Sequence, residues 1–141
     1  MLTKILLFSL LQTIYSVVTK FSVTSCETNT DLMQDVILSV VPELPQTDYT
    51  LYLNGDLNKV INKGTSNYAI TYNFIPLSPT IEDLCADIKE SNISCPLTSG
   101  PLASESKGKI PDNLSGSVTI KNEWYDEEQK RILCMLFNIK L

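Results

Sequence analysis

Hydrophobic and polar residues alternate along several short stretches of the chain. In residues 68–74, large apolar side chains stand at every second position from Tyr68 to Phe74, which is the period of a strand with one buried face. Turn residues such as Asn54-Gly55 separate the stretches. The pattern predicts an all-β fold, an antiparallel β-sandwich. Residues 49–53 also alternate cleanly, and residues 35–41, 117–124 and 132–139 are the other predicted strands.

Two segments depart from this pattern. Residues 80–89 begin with the capping residue Thr80 and have Glu82 and Asp83 near the third helical position, so they predict one or two helical turns. Residues 96–117 are rich in Ser, Gly, Pro and Lys, and we expect a loop with one irregular strand there. Internal repeats are absent from the sequence, and a single domain with its own core is expected.

The first residues have the composition of a secretory signal. Lys4 precedes an apolar run that weakens towards Val18, as in a signal peptide. The 14 residues from Ile5 to Val18 are fewer than the about 20 apolar residues of a membrane-spanning helix. We expect residues 1–16 to be a signal peptide, with cleavage between residues 16 and 19. Residues 17–141 would then form a domain that is secreted or lies in the endolysosomal lumen.

Charge and composition argue against several functions. The net charge of −5 offers no basic surface for nucleic acid. The chain has no histidine, which is the commonest general base and the usual partner of a serine or cysteine nucleophile. Adjacent carboxylates occur at Glu82-Asp83 and in the charged turn after Asp126, but neighbours on a strand point to opposite faces. We therefore expect a monomer that is not an enzyme and has neither cofactor nor metal.

Four cysteines, an even number, predict two disulfides in a secreted chain. Three pairings are possible. In one of them Cys85 joins Cys95 across a short loop, and Cys26 ties the start of the domain to Cys134 in its last strand. A zinc site is the rival interpretation, but the chain has neither a C-x-x-C motif nor a histidine.

Two sequons of the form N-x-S/T predict glycosylation, at Asn92 and at Asn113. An acceptor asparagine has to be exposed in a secreted protein. Asn92 lies between Cys85 and Cys95, so we expect residues 83–96 to form a protruding loop that is stapled at its base.

Several short motifs, taken in order, are similar to those of one known family. Together they resemble the ML domain, the MD-2-related lipid-recognition family, and within it the Niemann-Pick C2 type. The resemblance is strongest to the phosphatidylglycerol/phosphatidylinositol transfer proteins of fungi and amoebae, and it covers residues 26–139. The motifs are Gly55-Asp56-Leu57, Lys63-Gly64, Ile75-Pro76-Leu77, Asp83-Leu84-Cys85, Cys95-Pro96-Leu97, residues 118–124 and Leu133-Cys134.

The resemblance implies an immunoglobulin-like sandwich of about seven strands, with an internal lipid cavity between splayed sheets. It also implies the pairings Cys26 with Cys134 and Cys85 with Cys95. The implied function is to bind phosphatidylinositol or phosphatidylglycerol and to transfer it between membranes. A sterol carrier of the same fold and a secreted lipid-dependent interaction module are the alternatives. The third disulfide of the animal sterol carriers is missing after Pro42, which argues against sterol.

A phospholipid has to be enclosed, because exposing two acyl chains of on the order of 30 methylenes would cost roughly 20 kcal/mol. Apolar residues on or near loops are the candidates for the pocket and its mouth. Lys107, Lys109 and Lys121 are expected to give transient contact with an anionic membrane surface. The pocket candidates are Phe74, Ile75, Leu77, Leu102, Ile110, Trp124 and Met135.

Overall fold

The computed structural model describes residues 20–43, 48–109 and 115–141, mostly as strands. A short helix, α1 (Leu84–Asp87), and a 3-10 turn (Ile88–Ser91) interrupt them. The expected signal peptide, its cleavage site, Ile110 and Asn113 lie outside the described residues. The strands are β1 (Lys20–Ser25), β2 (Met33–Glu43), β3 (Asp48–Leu57), β4 (Gly64–Tyr72), β5 (Ile75–Pro76), β6 (Thr80–Asp83), β7 (Gly100–Lys109), β8 (Ser117–Asp126) and β9 (Arg131–Lys140).

These strands form two antiparallel sheets. The first has six strands in the order β1-β9-β8-β4, with β5 and β6 both paired to the free edge of β4. The second has three strands, in the order β2-β3-β7. Residues of both sheets share one buried cluster. The predicted all-β antiparallel sandwich is therefore confirmed.

The tightly packed core occupies one end of the sandwich. Met33 pairs with Leu57 across β2 and β3, and Leu133 pairs with Trp124 across β8 and β9. All four side chains are buried. Nearer the other end of β3, the inward-facing Leu51 is only partly buried. The two sheets thus meet closely at one end and leave space at the other.

Two disulfides tie other segments to this framework, with the pairing that the resemblance implies. Cys26 and Cys134, 5.0 Å apart at their Cα atoms, join the residue after β1 to β9. Cys85 and Cys95, 5.5 Å apart, join α1 to the segment before β7. All four thiols are consumed, and no free cysteine remains in the described ranges.

The Asn54-Gly55 pair belongs to a strand and does not form the expected turn. β3 continues through it, and β2 has a bulge on the facing side, between Gln34 and Ile37. A Cβ atom on Gly55 would lie 2.9 Å from the Cγ and Sδ atoms of Met33. Glycine is needed at position 55 because the buried side chain of Met33 lies close to the backbone there. The resulting Asn-Gly pair looks the same in the sequence as the Asn-Gly pair of a turn.

Three other segments differ from the sequence prediction. β2 includes Pro42, which an edge strand tolerates because one side of its backbone has no partner strand. β7 is a regular strand of 10 residues despite its Ser, Gly and Lys content, because all of it pairs with β3. The helix is shorter than predicted, since residues 80–83 pair with β4. α1 then begins after Asp83, whose carboxylate accepts a hydrogen bond from the backbone N–H of Ala86.

Candidate functional site

A cavity of about 520 Å³ lies between the two sheets, in the part of the sandwich that the core leaves open. Side chains of β3 and β7 line one side of it, and side chains of β1, β4, β8 and β9 line the other. Cavities of this size and character are typical binding sites for small molecules. The apolar part of the wall consists of Phe21, Leu51, Leu53, Ile70, Ile120, Trp124, Met135, Phe137 and Ile139.

The period of a strand places these side chains in the wall. Met135, Phe137 and Ile139 stand two residues apart on β9 and all line the cavity, as expected for one face of a strand. Leu51 and Leu53 have the same spacing on β3 and line the opposite side. The cavity is therefore a continuation of the apolar layer between the sheets, with space where side chains would otherwise meet.

Aromatic rings from both sheets meet at one end of the cavity. The ring centroids of Phe21 on β1 and Tyr49 on β3 are 4.8 Å apart, and those of Phe21 and Phe137 are 6.4 Å apart. Gly108 pairs with Tyr49 and leaves room for its ring, because a Cβ there would lie 2.3 Å from the ring. Burial raises the pKa of the Tyr49 hydroxyl. This end of the cavity is therefore aromatic, with Lys107 and Lys109 on either side of Gly108 next to it.

A buried amide fixes the wall where the cavity meets the core. Asn122 on β8 donates hydrogen bonds to the hydroxyl of Ser66, at 2.9 Å, and to the carbonyl oxygen of Asn67, at 3.1 Å. Its own carbonyl oxygen accepts a 3.1 Å hydrogen bond from the indole N–H of Trp124. Because a buried polar group is costly unless it is paired, these bonds hold the Trp124 ring in one orientation in the cavity wall.

The segment between the two sheets adds polar groups to the cavity. The hydroxyl of Tyr68 donates a 2.5 Å hydrogen bond to a carboxylate oxygen of Asp87, at the end of α1. Burial and this hydrogen bond raise the pKa of Tyr68 well above its usual range. The 3-10 turn that follows contacts β7. The acidic and hydroxyl side chains from α1, the 3-10 turn and β7 form the polar wall, which consists of Asp87, Glu90, Ser91, Ser104 and Ser106.

Two of the predicted pocket residues, Trp124 and Met135, lie in the cavity wall. Both side chains are buried, and both also belong to the core cluster. Leu102 faces inward on β7 but lies nearer the packed end, where it is half-buried against the core cluster. These three residues of the predicted set thus lie at the border between core and cavity, and the set lacks most of the open wall.

Phe74, Ile75 and Leu77 lie outside the cavity wall. Their side chains are 90%, 64% and 49% exposed. β4 ends at Tyr72, and Asn73 and Phe74 both have left-handed backbone conformations, with φ of 48° and 67°. This turn directs the chain back along the edge of β4. The prediction extended the period-two pattern through Phe74, whereas the turn ends the strand two residues earlier.

Sequence reasoning missed other parts of the wall. Phe21 lies on β1, a strand of six residues with only weak apolar character that directly follows the predicted signal. Asp87 and Glu90 come from a segment for which the sequence predicts a protruding surface loop. Ser104 and Ser106 lie on β7, where an irregular segment was expected. Their spacing of two residues is the signal that could have placed them on one face of a strand.

Two structural absences hold for the residues that the structure describes. In residues 20–43, 48–109 and 115–141, no helix is long and apolar enough to cross a membrane. The same ranges contain no group of three or more His, Cys, Asp or Glu side chains that could hold a metal ion.

The fold and the cavity define the class of this protein, a β-sandwich with an internal cavity. The family model of the ML domain matches residues 20–141, and the chain belongs to the ML domain family. It is 25% identical over 118 residues to the phosphatidylglycerol/phosphatidylinositol transfer protein of Neurospora crassa. The match covers 78% of this chain and 67% of that protein. The chain spans between 54% and 74% of the length of the curated relatives that it matches.

Two solved structures have the same fold. Chicken MD-1 complexed with lipid IVa has a TM-score of 0.62 at 17% identity, with 85% of this chain and 88% of that chain covered. A Niemann-Pick type C2 protein from Japanese carpenter ant has a TM-score of 0.58 at 16% identity, with 83% and 96% covered. The predicted immunoglobulin-like sandwich is therefore confirmed.

Proposed function

We propose that this protein binds a phospholipid in the cavity between its sheets and carries it from one membrane to another. The observation that carries the proposal is the cavity itself, about 520 Å³ in volume and lined by apolar side chains from both sheets. Protein interiors have few voids larger than a water molecule. A void this large sacrifices packing contacts of the empty protein, and an apolar occupant would restore them.

The volume limits what fits inside. At ~30 Å³ for each water-sized group, about 520 Å³ holds on the order of 17 such groups, close to one acyl chain. Removing a chain of that length from water is favourable by roughly 14 kcal/mol. A lipid with two chains therefore requires the sheets to move apart, or it leaves part of one chain at the opening.

The relatives support phosphatidylinositol or phosphatidylglycerol as the cargo, since the Neurospora relative is named as a transfer protein for these lipids. The polar wall supports the same choice. A sterol has a single hydroxyl, so its ring system would leave most of this wall without hydrogen-bond partners. A phospholipid head group supplies several polar atoms next to an apolar chain.

Lipid exchange requires contact with a bilayer, and exposed residues support a weak and reversible contact by a monomer. Phe74, Ile75 and Ile81 are 90%, 64% and 70% exposed beside the edge of β4. Lys107 and Lys109 are exposed on β7, and each basic residue near an anionic surface contributes about 1 kcal/mol. Together, a few apolar side chains and two charges suit transient docking.

We further propose that the protein acts in the secretory pathway or outside the cell and that it is not an enzyme. Its two disulfides support an oxidising compartment. Among the residues that the structure describes, the two buried aspartates lie outside the cavity wall and are held in ion pairs, Asp31 with Arg131 at 2.8 Å and Asp126 with Lys59 at 2.6 Å. Carboxylates that are held in this way support a structural role.

Two measurements test the proposed function. Organic extraction of the purified protein, followed by mass spectrometry, is expected to yield a nearly equimolar amount of phospholipid. Labelled phosphatidylinositol should then move from donor to acceptor vesicles faster with the protein than without it. A protein that contains no lipid and transfers none would contradict the proposal. Sterol in the extract would reassign the cargo, and a stable protein partner without lipid transfer would favour an interaction module.

A further inference from the structure

β7 presents hydroxyl groups to the cavity where a sandwich interior normally has apolar side chains. Ser104 pairs with Leu53 and Ser106 pairs with Leu51 on β3, and paired residues on neighbouring strands project to the same face. Both leucines and both serines line the cavity. The two serines therefore place polar groups in the middle of an otherwise apolar wall.

These hydroxyls are available to a ligand. The side chains of Ser104 and Ser106 are half-buried and form no hydrogen bond with other residues in the described part of the chain. Asn122, deeper in the same cavity, is by contrast paired with Ser66 and Trp124. Because a polar group that is withdrawn from water without a partner is costly, the serines suit a ligand that brings hydrogen-bonding groups of its own.

The charged groups near the serines are arranged by sign. Asp87 and Glu90 contribute carboxylates to the polar wall, and Tyr68 holds Asp87 by a hydrogen bond. Lys107 and Lys109 border the cavity at the end of β7, with their side chains on the exposed outer face of the strand, and neither has an ion-pair partner among the described residues. Carboxylates accept hydrogen bonds from hydroxyl groups and repel phosphate, whereas ammonium groups attract it.

We propose that the polar wall recognises the polyol phosphate head group of a phospholipid, which takes up part of the cavity, so that the acyl chains fill only the rest of it and extend through the opening. The hydroxyls of the head group bind the polar wall, and its phosphate lies away from Asp87 and Glu90, towards the end of β7 where Lys107 and Lys109 make the electrostatic potential more positive. This inference rests on the proposed function and goes further, because it assigns head-group specificity to named residues. A head group with hydroxyls forms hydrogen bonds with the polar wall and is therefore favoured. A head group without hydroxyls is disfavoured, because it would withdraw Ser104 and Ser106 from water and leave them without hydrogen-bond partners.

The double substitution Ser104→Ala with Ser106→Ala tests this proposal in a vesicle transfer assay. Phosphatidylcholine vesicles carry either phosphatidylinositol or phosphatidylmethanol with the same acyl chains. Both guests are phosphodiesters with a single negative charge, and only phosphatidylinositol has hydroxyls. We expect the wild-type protein to prefer phosphatidylinositol and the double variant to reduce that preference roughly tenfold, through the loss of two hydrogen bonds. An unchanged preference in the double variant would overturn the proposal.

Three further variants separate hydrogen bonding from changes in shape or charge. Ala103→Ser adds a hydroxyl on the exposed outer face of β7 and is expected to leave the preference unchanged. Ser106→Thr keeps the hydroxyl, so the preference should persist, and its loss would contradict recognition through hydrogen bonds. Lys107→Gln combined with Lys109→Gln should slow the transfer of both anionic lipids by the same factor. Thermal unfolding monitored by circular dichroism verifies that each variant is folded.

Two outcomes distinguish this inference from the function on which it rests. A wild-type protein that transfers both guest lipids equally would overturn the head-group site and leave lipid carriage intact. A wild-type protein that transfers neither lipid would contradict the proposed function itself. Glycerophosphoinositol has the same polar group without chains, and we expect no competition from it at concentrations where the lipid saturates transfer. Competition at such concentrations would reassign the wall to soluble polyol phosphates and overturn the lipid proposal.

Discussion

Neighbouring residues on one strand belong to entirely different environments in this protein. Ile70 on β4 lines the cavity, while Ala69, the residue before it, is exposed on the outer face of the same sheet. The difference arises because successive side chains of a strand point to opposite faces. A charge placed at these two positions should therefore have two very different effects.

We expect Ile70→Asp to lower lipid uptake at least tenfold, because an isolated carboxylate in an apolar wall is costly to desolvate. Ala69→Asp serves as the matched control, since it adds the same charge on the outer face, and uptake should be unchanged. The measurement is the amount of phospholipid that co-purifies with each variant after incubation with vesicles. Equal uptake by the two variants would show that Ile70 is not part of the binding wall.

Three carboxylates at the packed end are held ionised by hydrogen bonds. Burial alone would raise the pKa of Asp126, but hydrogen bonds from Lys59 and from the backbone N–H of Lys130 outweigh burial and hold the pKa below its usual range. Burial opposes ionisation at Asp31 and at Glu123 as well, and hydrogen bonds that include those from Arg131 lower both pKa values. These groups stabilise the folded protein as long as they are ionised.

This arrangement predicts how stability depends on pH. A folded-state pKa below the unfolded value contributes stability above the unfolded pKa and loses it as the pH falls through the folded pKa. The free energy of unfolding should therefore vary little between pH 7 and about pH 5, and decrease below about pH 4. Urea unfolding over this pH range provides the measurement, and Asp126→Asn should flatten the acid limb. Stability that rises below pH 4 would contradict this account.

At the scale of elements, α1 and the 3-10 turn form a wall that cannot be stable alone. Each has 4 residues, which is far shorter than an isolated helix needs. Buried Leu84 and Ile88 anchor the segment to the core, and the disulfide from Cys85 closes it. The expected protruding loop is thus a packed segment. Asn92, at its end, is exposed, and its glycosylation stays a prediction.

Removing each disulfide should separate stability from function. The chain-entropy model assigns roughly 3 kcal/mol to the near pair and roughly 5 kcal/mol to the far pair, whose sequence separations are 10 and 108. We expect Cys85→Ser with Cys95→Ser to reduce lipid retention strongly, because the polar wall loses its closure. Cys26→Ser with Cys134→Ser should cost more in urea unfolding and less in retention per molecule that remains folded. The reverse order of retention would contradict the role given to α1.

At the scale of the whole molecule, the cavity reduces side-chain packing in the interior and leaves room for a ligand. The core fills one end, and the 520 Å³ that remain between the sheets are space in which further side chains would add contacts. Proteins commonly give up stability at sites that serve a function. The empty protein should thus be less stable than the same fold with a filled interior.

A cavity-filling substitution tests this exchange. Ile120→Trp adds volume inside the cavity, so the free energy of unfolding of the lipid-free protein should stay the same or increase, while lipid uptake decreases several-fold. Thr119→Trp adds the same side chain on the other face of β8 and should leave uptake unchanged. Urea unfolding of delipidated protein and lipid co-purification supply the two readouts. Normal uptake by the filled variant would place the ligand elsewhere.

The all-β class could be predicted from the sequence because the alternation of apolar residues in a strand is a local property. The even number of cysteines and the missing histidine depend on composition alone. Trp124 and Met135 were placed near the site by the same period. The same period also predicts Phe74 in the pocket, but its side chain lies outside the cavity wall, because the left-handed turn at Asn73 ends the strand before it.

Which half of the sandwich stays open was decided only by the tertiary structure. Strand pairing and the separation of the two sheets depend on contacts between residues far apart in the chain. The combined effect of these contacts cannot be predicted from a local sequence pattern. The same long-range pairing turns Ser104 and Ser106 towards the cavity, opposite the apolar side chains of the other sheet. The sequence by itself determined the elements and their buried faces, and the packing of the two sheets determined where those faces enclose empty space.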